Sequence, residues 1–189
     1  WTTTPWTLIG NVALAVWVDI DFVKIEVENS KYIIAKELIK NYTKELGDNP
    51  KILEKFKGKD LLNKKYKPLF NYYTNDKNLA NIDNGWQILS AEFVTTEEGT
   101  GIVHMAPAFG EDDMALGKEK NLPFIQHVAM DGSINKEATD FAGLNVKPKG
   151  DHTTTDIAII KYLAAKGLLF AKEKYEHSYP HCWRCDTPL

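Results

Sequence analysis

The sequence predicts an α+β fold with a mixed, barrel-like β core and helices packed around it. Short apolar or alternating runs recur at irregular spacing, and amphipathic stretches interrupt them without strict strand-helix alternation. No internal repeat or low-complexity tract appears. At 189 residues, 43% hydrophobic and 26% charged, the chain has an ordinary composition for one domain with a single good core.

The chain opens on Trp1-Thr2-Thr3-Thr4-Pro5-Trp6-Thr7, where Pro5 biases Thr4 toward extended backbone. A Thr-rich β edge is the plain expectation, and hydroxyls lining a polar pocket are the alternative. Residues 12–18 form a continuous apolar run too short for a typical helix, hence a buried strand. Residues 22–28 alternate with period two and end in a turn at 28–31, so these two strands are expected to pair as a hairpin.

Leu38, Ile39, Tyr42 and Leu46 sit at helical spacing between charged residues, predicting an amphipathic helix over 35–46 with Gly47 as its cap. Pro50 suits the first turn of a second short helix carrying Ile52, Leu53 and Phe56 and closing at Gly58. Residues 59–70 read as a strand with a basic exposed side, 73–85 as a polar, Asn-rich loop, and 86–94 as a strand. Beyond the segment 99–113, the pattern predicts a helix over 113–120, a strand over 124–130 and a turn at Asp131-Gly132. A helix capped by Thr155 and ended by Gly167 follows, then a last strand over 168–176. The total is about seven strands and four helices.

A formal charge of −3 and a pI near 6.0 give no bulk electrostatic grip on a phosphate backbone. Any nucleic acid would have to be held locally or by another part of a larger protein. No apolar run approaches the roughly 18 residues of a spanning helix. The start carries neither an initiator Met nor a charged signal-type segment, as expected of a piece excised from a longer chain. Both cysteines, Cys182 and Cys185, fall in one Cys-x-x-Cys, which leaves no disulfide framework and suits a reducing, cytosolic setting.

Chemistry concentrates in Gly99-Thr100-Gly101-Ile102-Val103-His104-Met105-Ala106-Pro107-Ala108-Phe109-Gly110-Glu111-Asp112-Asp113. A short strand over 101–103 stops before Pro107 and turns into a helix start, aiming an imidazole and a carboxylate at one place. A strand histidine is ordinarily a satisfied half-buried residue, and acids at a helix start ordinarily cap it. What favours a site is convergence, because the small residues Ala106, Ala108 and Gly110 leave room for a ligand beside His104 and the acids. Successive helix residues point about 100° apart, so Asp112 and Asp113 cannot act as a facing pair. No His-Glu-x-x-His or similarly spaced ligand set surrounds them, and Cys182 with Cys185 supplies only half of a tetrahedral zinc site.

Three blocks together resemble one family, the editing domain inserted into class I isoleucyl-tRNA synthetases. They are the opening Trp-Thr-Thr-Thr-Pro-Trp-Thr with Asn11, the Gly-Thr-Gly-Ile-Val-His-x-Ala-Pro block running to Asp113, and His-Ser-Tyr-Pro-His-Cys-Trp-Arg-Cys-Asp-Thr-Pro-Leu at the end. The resemblance covers essentially the whole chain, although residues 33–86 carry no recognisable motif. It implies the class I editing-domain fold over 1–176, with 177–189 leading back toward a catalytic domain.

The implied activity is hydrolysis of valine mischarged onto tRNA(Ile), sparing the isoleucyl ester. The resemblance assigns catalytic duty to Asp113, Thr3, Thr4 and His104. It assigns substrate contact to Thr2, Trp6, Asn11, His104, Ala106, Phe109 and Asp113. Asp113 would hold the substrate ammonium, His104 would exclude isoleucine, and the Thr hydroxyls would orient water or the ester. General-base action by His104 stays open. A lysine at position 104 would instead resemble the valyl enzyme, so His104 favours the isoleucyl assignment.

No cofactor is implied for editing. Zinc is expected only in the longer parent, where a second Cys-x-x-Cys joins Cys182 and Cys185. The implied partners are the aminoacyl 3′ end of tRNA(Ile) and the rest of the synthetase, with no membrane, a cytoplasmic location and a monomeric isolated domain. The alternatives are the editing domain of a valyl or leucyl synthetase, and a non-catalytic module that binds the tRNA 3′ end.

Overall fold

The computed structural model describes residues 1–173, 183 and 184. Cys182, Cys185 and nearly all of the 177–189 segment lie outside the described residues.

Two three-stranded sheets organise the chain. In the first, β1 (Ala13–Val16) is central, parallel to β5 (Gln87–Ser90) and antiparallel to β6 (Val103–Met105). Both faces of β1 are covered, which is why its sequence is continuously apolar. Ala13, Ala15, Leu89 and Met105 pack there with Leu116 of a later helix. In the second sheet, β2 (Asp21–Val27) lies between β3 (Ser30–Ala35) and β4 (Lys51–Lys57), all antiparallel.

No closed barrel forms among the described residues; the core is an open pair of small sheets. β4 presents Lys51, Glu54, Lys55 and Lys57 along an exposed edge, a composition that discourages further pairing. The first two strands do not form a hairpin, because β1 and β2 fall in different sheets. The chain turns a corner at 17–20, held by bonds from Gly58 N–H to Ile20 O and Lys59 N–H to Val18 O. A Cβ on Gly58 would stand 2.0 Å from the Trp17 carbonyl oxygen, so only glycine permits this approach.

The hairpin partner of β2 is instead β3, joined through a two-residue turn in which Glu28 takes φ 52°. The helix expected over 35–46 is a 3₁₀ segment, Lys36–Tyr42, running into α1 (Thr43–Leu46). Its expected inner face holds for Leu38, Tyr42 and Leu46. The helix expected after Pro50 is β4, which pairs along β2 with one register shift between the Lys24–Glu54 and Ile25–Ile52 pairs.

Residues 59–70 are not a strand. After a 3₁₀ turn, Gly58–Leu61, they follow β5 irregularly, with Lys65 bridging Gln87. The 124–130 segment contributes only one bridge, Val128 to Ile134, and 168–173 has no regular structure. The loop at 73–85 and the turn at Asp131-Gly132 form as expected.

The remaining helices are α2 (Glu111–Glu119) and α3 (Thr154–Ala165). Thr155 does not cap α3; its hydroxyl donates to the Asn145 carbonyl at 2.7 Å. Ile159 and Leu163 of α3 pack on Trp6 and Ile9 of a 3₁₀ segment, Pro5–Gly10, which replaces the expected β edge. Asp156 of α3 accepts the Trp6 N–H at 3.0 Å, which ties the opening of the chain to α3.

Candidate functional site

The site begins with β6, whose middle residue must point opposite to its neighbours. Met105 goes fully into the first core, so His104 emerges on the other face. The strand is held from outside by the 99–101 loop. Ala35 N–H donates to Thr100 O at 2.9 Å, and the Tyr42 hydroxyl donates to Gly99 O at 2.9 Å. Gly101 takes φ 75°, and a Cβ there would meet Ala35 Cβ at 2.6 Å. The second sheet thus sets where β6 starts.

Beyond Met105 the chain turns, with Phe109 N–H donating to Ala106 O at 2.9 Å, and enters α2 at Gly110. Asp113 in the first helical turn reaches back to accept the Ala106 N–H at 2.7 Å through Oδ2. Its Oδ1 takes no hydrogen bond among the described residues. Burial raises the Asp113 carboxyl above the ordinary value and Asp112 adds to this, while the Ala106 bond opposes them. Glu111 and Asp112 point to solvent.

The opening segment closes the space from the other side. Thr4 N–H donates to the Thr2 hydroxyl at 3.0 Å, and Thr3 and Thr4 hydroxyls lie 3.5 Å apart. Together these elements form an open cavity of about 190 Å³ lined by Thr2, Thr3, Thr4, His104, Ala106 and Asp113, with Trp1, Thr7, Val103 and Phe109 completing the wall.

His104 is held by a directional chain. Asn11 Nδ2 donates to Ala13 O at 2.9 Å, which fixes the amide orientation, and it lies 3.2 Å from His104 Nδ1. Nδ1 is therefore the acceptor, and Nε2 carries the proton that meets the Thr7 hydroxyl at 2.8 Å. That hydroxyl donates in turn to Thr4 O at 2.7 Å. Burial lowers the His104 pKa to about 3, so the ring is neutral.

Of the sequence-predicted residues, the cavity gathers Thr2, Thr3, Thr4, His104, Ala106, Phe109 and Asp113. Trp6 and Asn11 stand behind it. Trp6 packs edge-on against Phe109 at 4.9 Å between ring centroids, and Asn11 backs His104. Sequence reasoning missed Thr7, the hydrogen-bond partner of His104, although its position inside the Thr-rich opening was a signal. It also missed His127, fully buried beside Trp6 and Phe109, with Nε2 3.1 Å from Trp6 O. Burial lowers the His127 pKa to about 4.

The arrangement offers a carboxylate, hydroxyls and a neutral imidazole around a small open pocket. That suits binding a short aminoacyl group with its ammonium on the carboxylate. No group of three or more His, Cys, Asp or Glu able to hold a metal occurs among the described residues. No described helix is long and apolar enough to cross a membrane.

No protein-family model matches the chain. It is 43% identical over 189 residues to an isoleucine–tRNA ligase of Bacillus thuringiensis (strain Al Hakam), covering 100% of this chain and 17% of that protein. Isoleucine–tRNA ligase 2 of Bacillus cereus (strain ATCC 14579) is 44% identical over the same 189 residues and likewise covered to 17%. The isoleucine–tRNA ligase of Mycobacterium leprae is 39% identical over 191 residues, with 18% of it covered. The chain thus spans 17–18% of the length of these relatives.

Among solved structures, the crystal structure of GlLeuRS-CP1 has a TM-score of 0.50 at 22% identity, covering 62% of this chain and 42% of that one. The P. falciparum cytosolic leucyl-tRNA synthetase editing domain has a TM-score of 0.46 at 20% identity, covering 64% and 45%. The first of these likenesses speaks for a shared fold.

Proposed function

From the chain's match, along its whole length, to the editing region of isoleucine–tRNA ligases, we propose that it hydrolyses valine mischarged onto tRNA(Ile) and spares the isoleucyl ester. The homology supports a proofreading domain. The observation that carries the finer reading is the cavity of about 190 Å³ with Asp113 and His104 on one wall and Thr2, Thr3 and Thr4 on the other.

Isoleucine against valine is the standard example of a choice that one methylene, worth about 1–3 kcal/mol in an apolar pocket, decides poorly at the activation step. A second site must therefore admit the smaller side chain and refuse the larger. In this reading Asp113 Oδ1 takes the α-ammonium, which every aminoacyl ester carries. His104 bounds the side-chain end and sets its size limit.

An aminoacyl ester is already an activated acyl group, so hydrolysis needs a positioned water and donors near the developing oxyanion rather than a protein nucleophile. The hydroxyls of Thr3 and Thr4 are the groups placed for that duty. His104 serves as wall rather than general base, because its one unprotonated nitrogen already accepts from Asn11. Phe109 and Ala106 complete the binding surface, and Trp6 acts by supporting Phe109.

No cofactor takes part in this reading, and a zinc site completed around Cys182 and Cys185 belongs to a longer parent. The partners are the tRNA(Ile) 3′ end and the remainder of a synthetase, in the cytoplasm. Deacylation of pre-formed valyl-tRNA(Ile) and isoleucyl-tRNA(Ile), with Asp113→Ala as control, tests the proposal. Faster loss of valine that disappears in the variant is expected. Equal rates on the two esters would sink the size selection, and an unaffected variant would remove the anchor. No hydrolysis of either ester by the full-length parent would leave a non-catalytic 3′-end binding module.

A further inference from the structure

Tyr66 belongs to none of the motifs above, yet its part-buried hydroxyl donates to Asn11 Oδ1 at 2.5 Å. Burial raises its phenol well above the ordinary value, so the group remains a donor throughout the working pH range. An asparagine amide is nearly symmetric in shape, and only its partners decide which end is oxygen. Here the Ala13 carbonyl, which can only accept, requires nitrogen at one end, and the Tyr66 hydroxyl donates to the oxygen at the other.

The orientation propagates. With Nδ2 facing His104, Nδ1 of the ring must accept, Nε2 must carry the proton, and the Thr7 hydroxyl must donate its own hydrogen bond to Thr4 O. Reversing the amide would press Oδ1 against both the Ala13 carbonyl and the Nδ1 lone pair. We propose that Tyr66 is a positioning residue: together with the Ala13 carbonyl it holds the Asn11 amide in one orientation, and so supports the Nε2–H tautomer of His104 and, through Thr7, the wall that gauges the side chain.

The final clause rests on the editing function proposed above; the tautomer assignment does not. Trp86 provides an internal comparison, because its Nε1 donates at 3.1 Å to the Asn11 backbone carbonyl and not to the amide. Trp86 braces the peptide, whereas Tyr66 holds the oxygen end of the amide. Both lie in the 33–86 stretch that carries no motif.

The test is a correlation of imidazole nitrogens and ring protons in the uniformly ¹⁵N-labelled chain, with His104 assigned by its loss in His104→Gln. Rates on valyl- and isoleucyl-tRNA(Ile) are measured alongside. The unsubstituted chain is expected to show a pure Nε2–H form. In Tyr66→Phe the Nδ1–H form appears, and the valyl-to-isoleucyl ratio of kcat/KM falls at least about fivefold, the worth of one net hydrogen bond. Trp86→Phe is expected to melt earlier while keeping both the tautomer and the ratio.

A pure Nε2–H form with an unchanged ratio in Tyr66→Phe overturns the proposal, as does an equal tautomer shift in Trp86→Phe. If Tyr66→Phe does not fold, Asn11→Asp replaces it. A carboxylate facing Nδ1 calls for the Nδ1–H form, and persistence of Nε2–H there refutes the chain of bonds. Absence of deacylation in every variant would count against the editing function and leave the tautomer result standing.

Discussion

The Thr7 hydroxyl and His104 Nε2 lie 2.8 Å apart, joining positions 97 residues distant in sequence inside a buried site. Because the same hydroxyl donates to Thr4 O, it is spoken for in both directions. Thr7→Val keeps the shape and removes both bonds, leaving the His104 N–H buried without an acceptor. A loss of about 1–3 kcal/mol in denaturant unfolding is expected, with Thr7→Ser near the parent value.

Asp113 is held in a position that costs stability. Its carboxyl is pushed up by burial, so the folded state favours the protonated form and is penalised at neutral pH. Asp113→Asn keeps an acceptor for the Ala106 N–H and removes that penalty. It is expected to gain about 0.5–2 kcal/mol at pH 7, as replacement of strained site residues commonly does. The same change removes the charge facing the ammonium, and valyl-tRNA deacylation should fall by about 10-fold or more, the worth of a charged hydrogen bond.

His104→Ala should act in the opposite sense on selectivity. Removing the ring lengthens the side-chain end of the cavity without touching Asp113. Hydrolysis of isoleucyl-tRNA is expected to rise toward the valyl rate, with the discrimination falling by about 10-fold or more. Single-turnover deacylation of both esters checks this, and a uniform loss on both would contradict a sizing role.

The parts of the cavity that were legible in the sequence are those built from local rules. That the acids at 111–113 lie in a first helical turn and that Asp112 and Asp113 cannot face one place follow from local rules, whereas the choice of Asp113 as the inward one came with the family resemblance. The illegible parts are tertiary. Tyr66 reaches Asn11 from a segment with no periodicity, and nothing near either residue announces the pair. The same limit explains the fold errors. Ile33-Ile34-Ala35 sits at the junction of a strand and a helical turn, and β4 carries a register shift that breaks the period-two pattern over 51–57. Barrel closure depends on edge pairing, which apolar runs do not report.

Gly101 offers a purely steric test of how the second sheet positions β6. Its φ of 75° disfavours any side chain, and a Cβ would meet Ala35 Cβ at 2.6 Å. Gly101→Ala is expected to cost about 1–3 kcal/mol in denaturant unfolding. It should also shift the start of β6 and slow deacylation. Gly143→Ala, at φ 81° with nothing within 4 Å of the added carbon, separates the backbone cost from the clash and should be milder.

Acid stability follows from the two buried histidines. The His104 and His127 pKa values are lowered from 6.5 to about 3 and about 4, both chiefly by burial. A lowered folded-state value means that the unfolded chain binds the proton more readily, so stability rises with pH across this window. The contribution is present above about pH 6.5 and drains as pH falls toward 4 and then 3. Melting curves from pH 7 to pH 4 should show a steady fall in Tm. His127→Gln is expected to flatten it, because glutamine takes no proton there and its amide can still donate to Trp6 O. Since Trp6 supports Phe109, retention of valyl-tRNA deacylation in His127→Gln would locate the acid sensitivity in folding rather than in chemistry. A slope unchanged by that substitution would mean that His127 does not carry it.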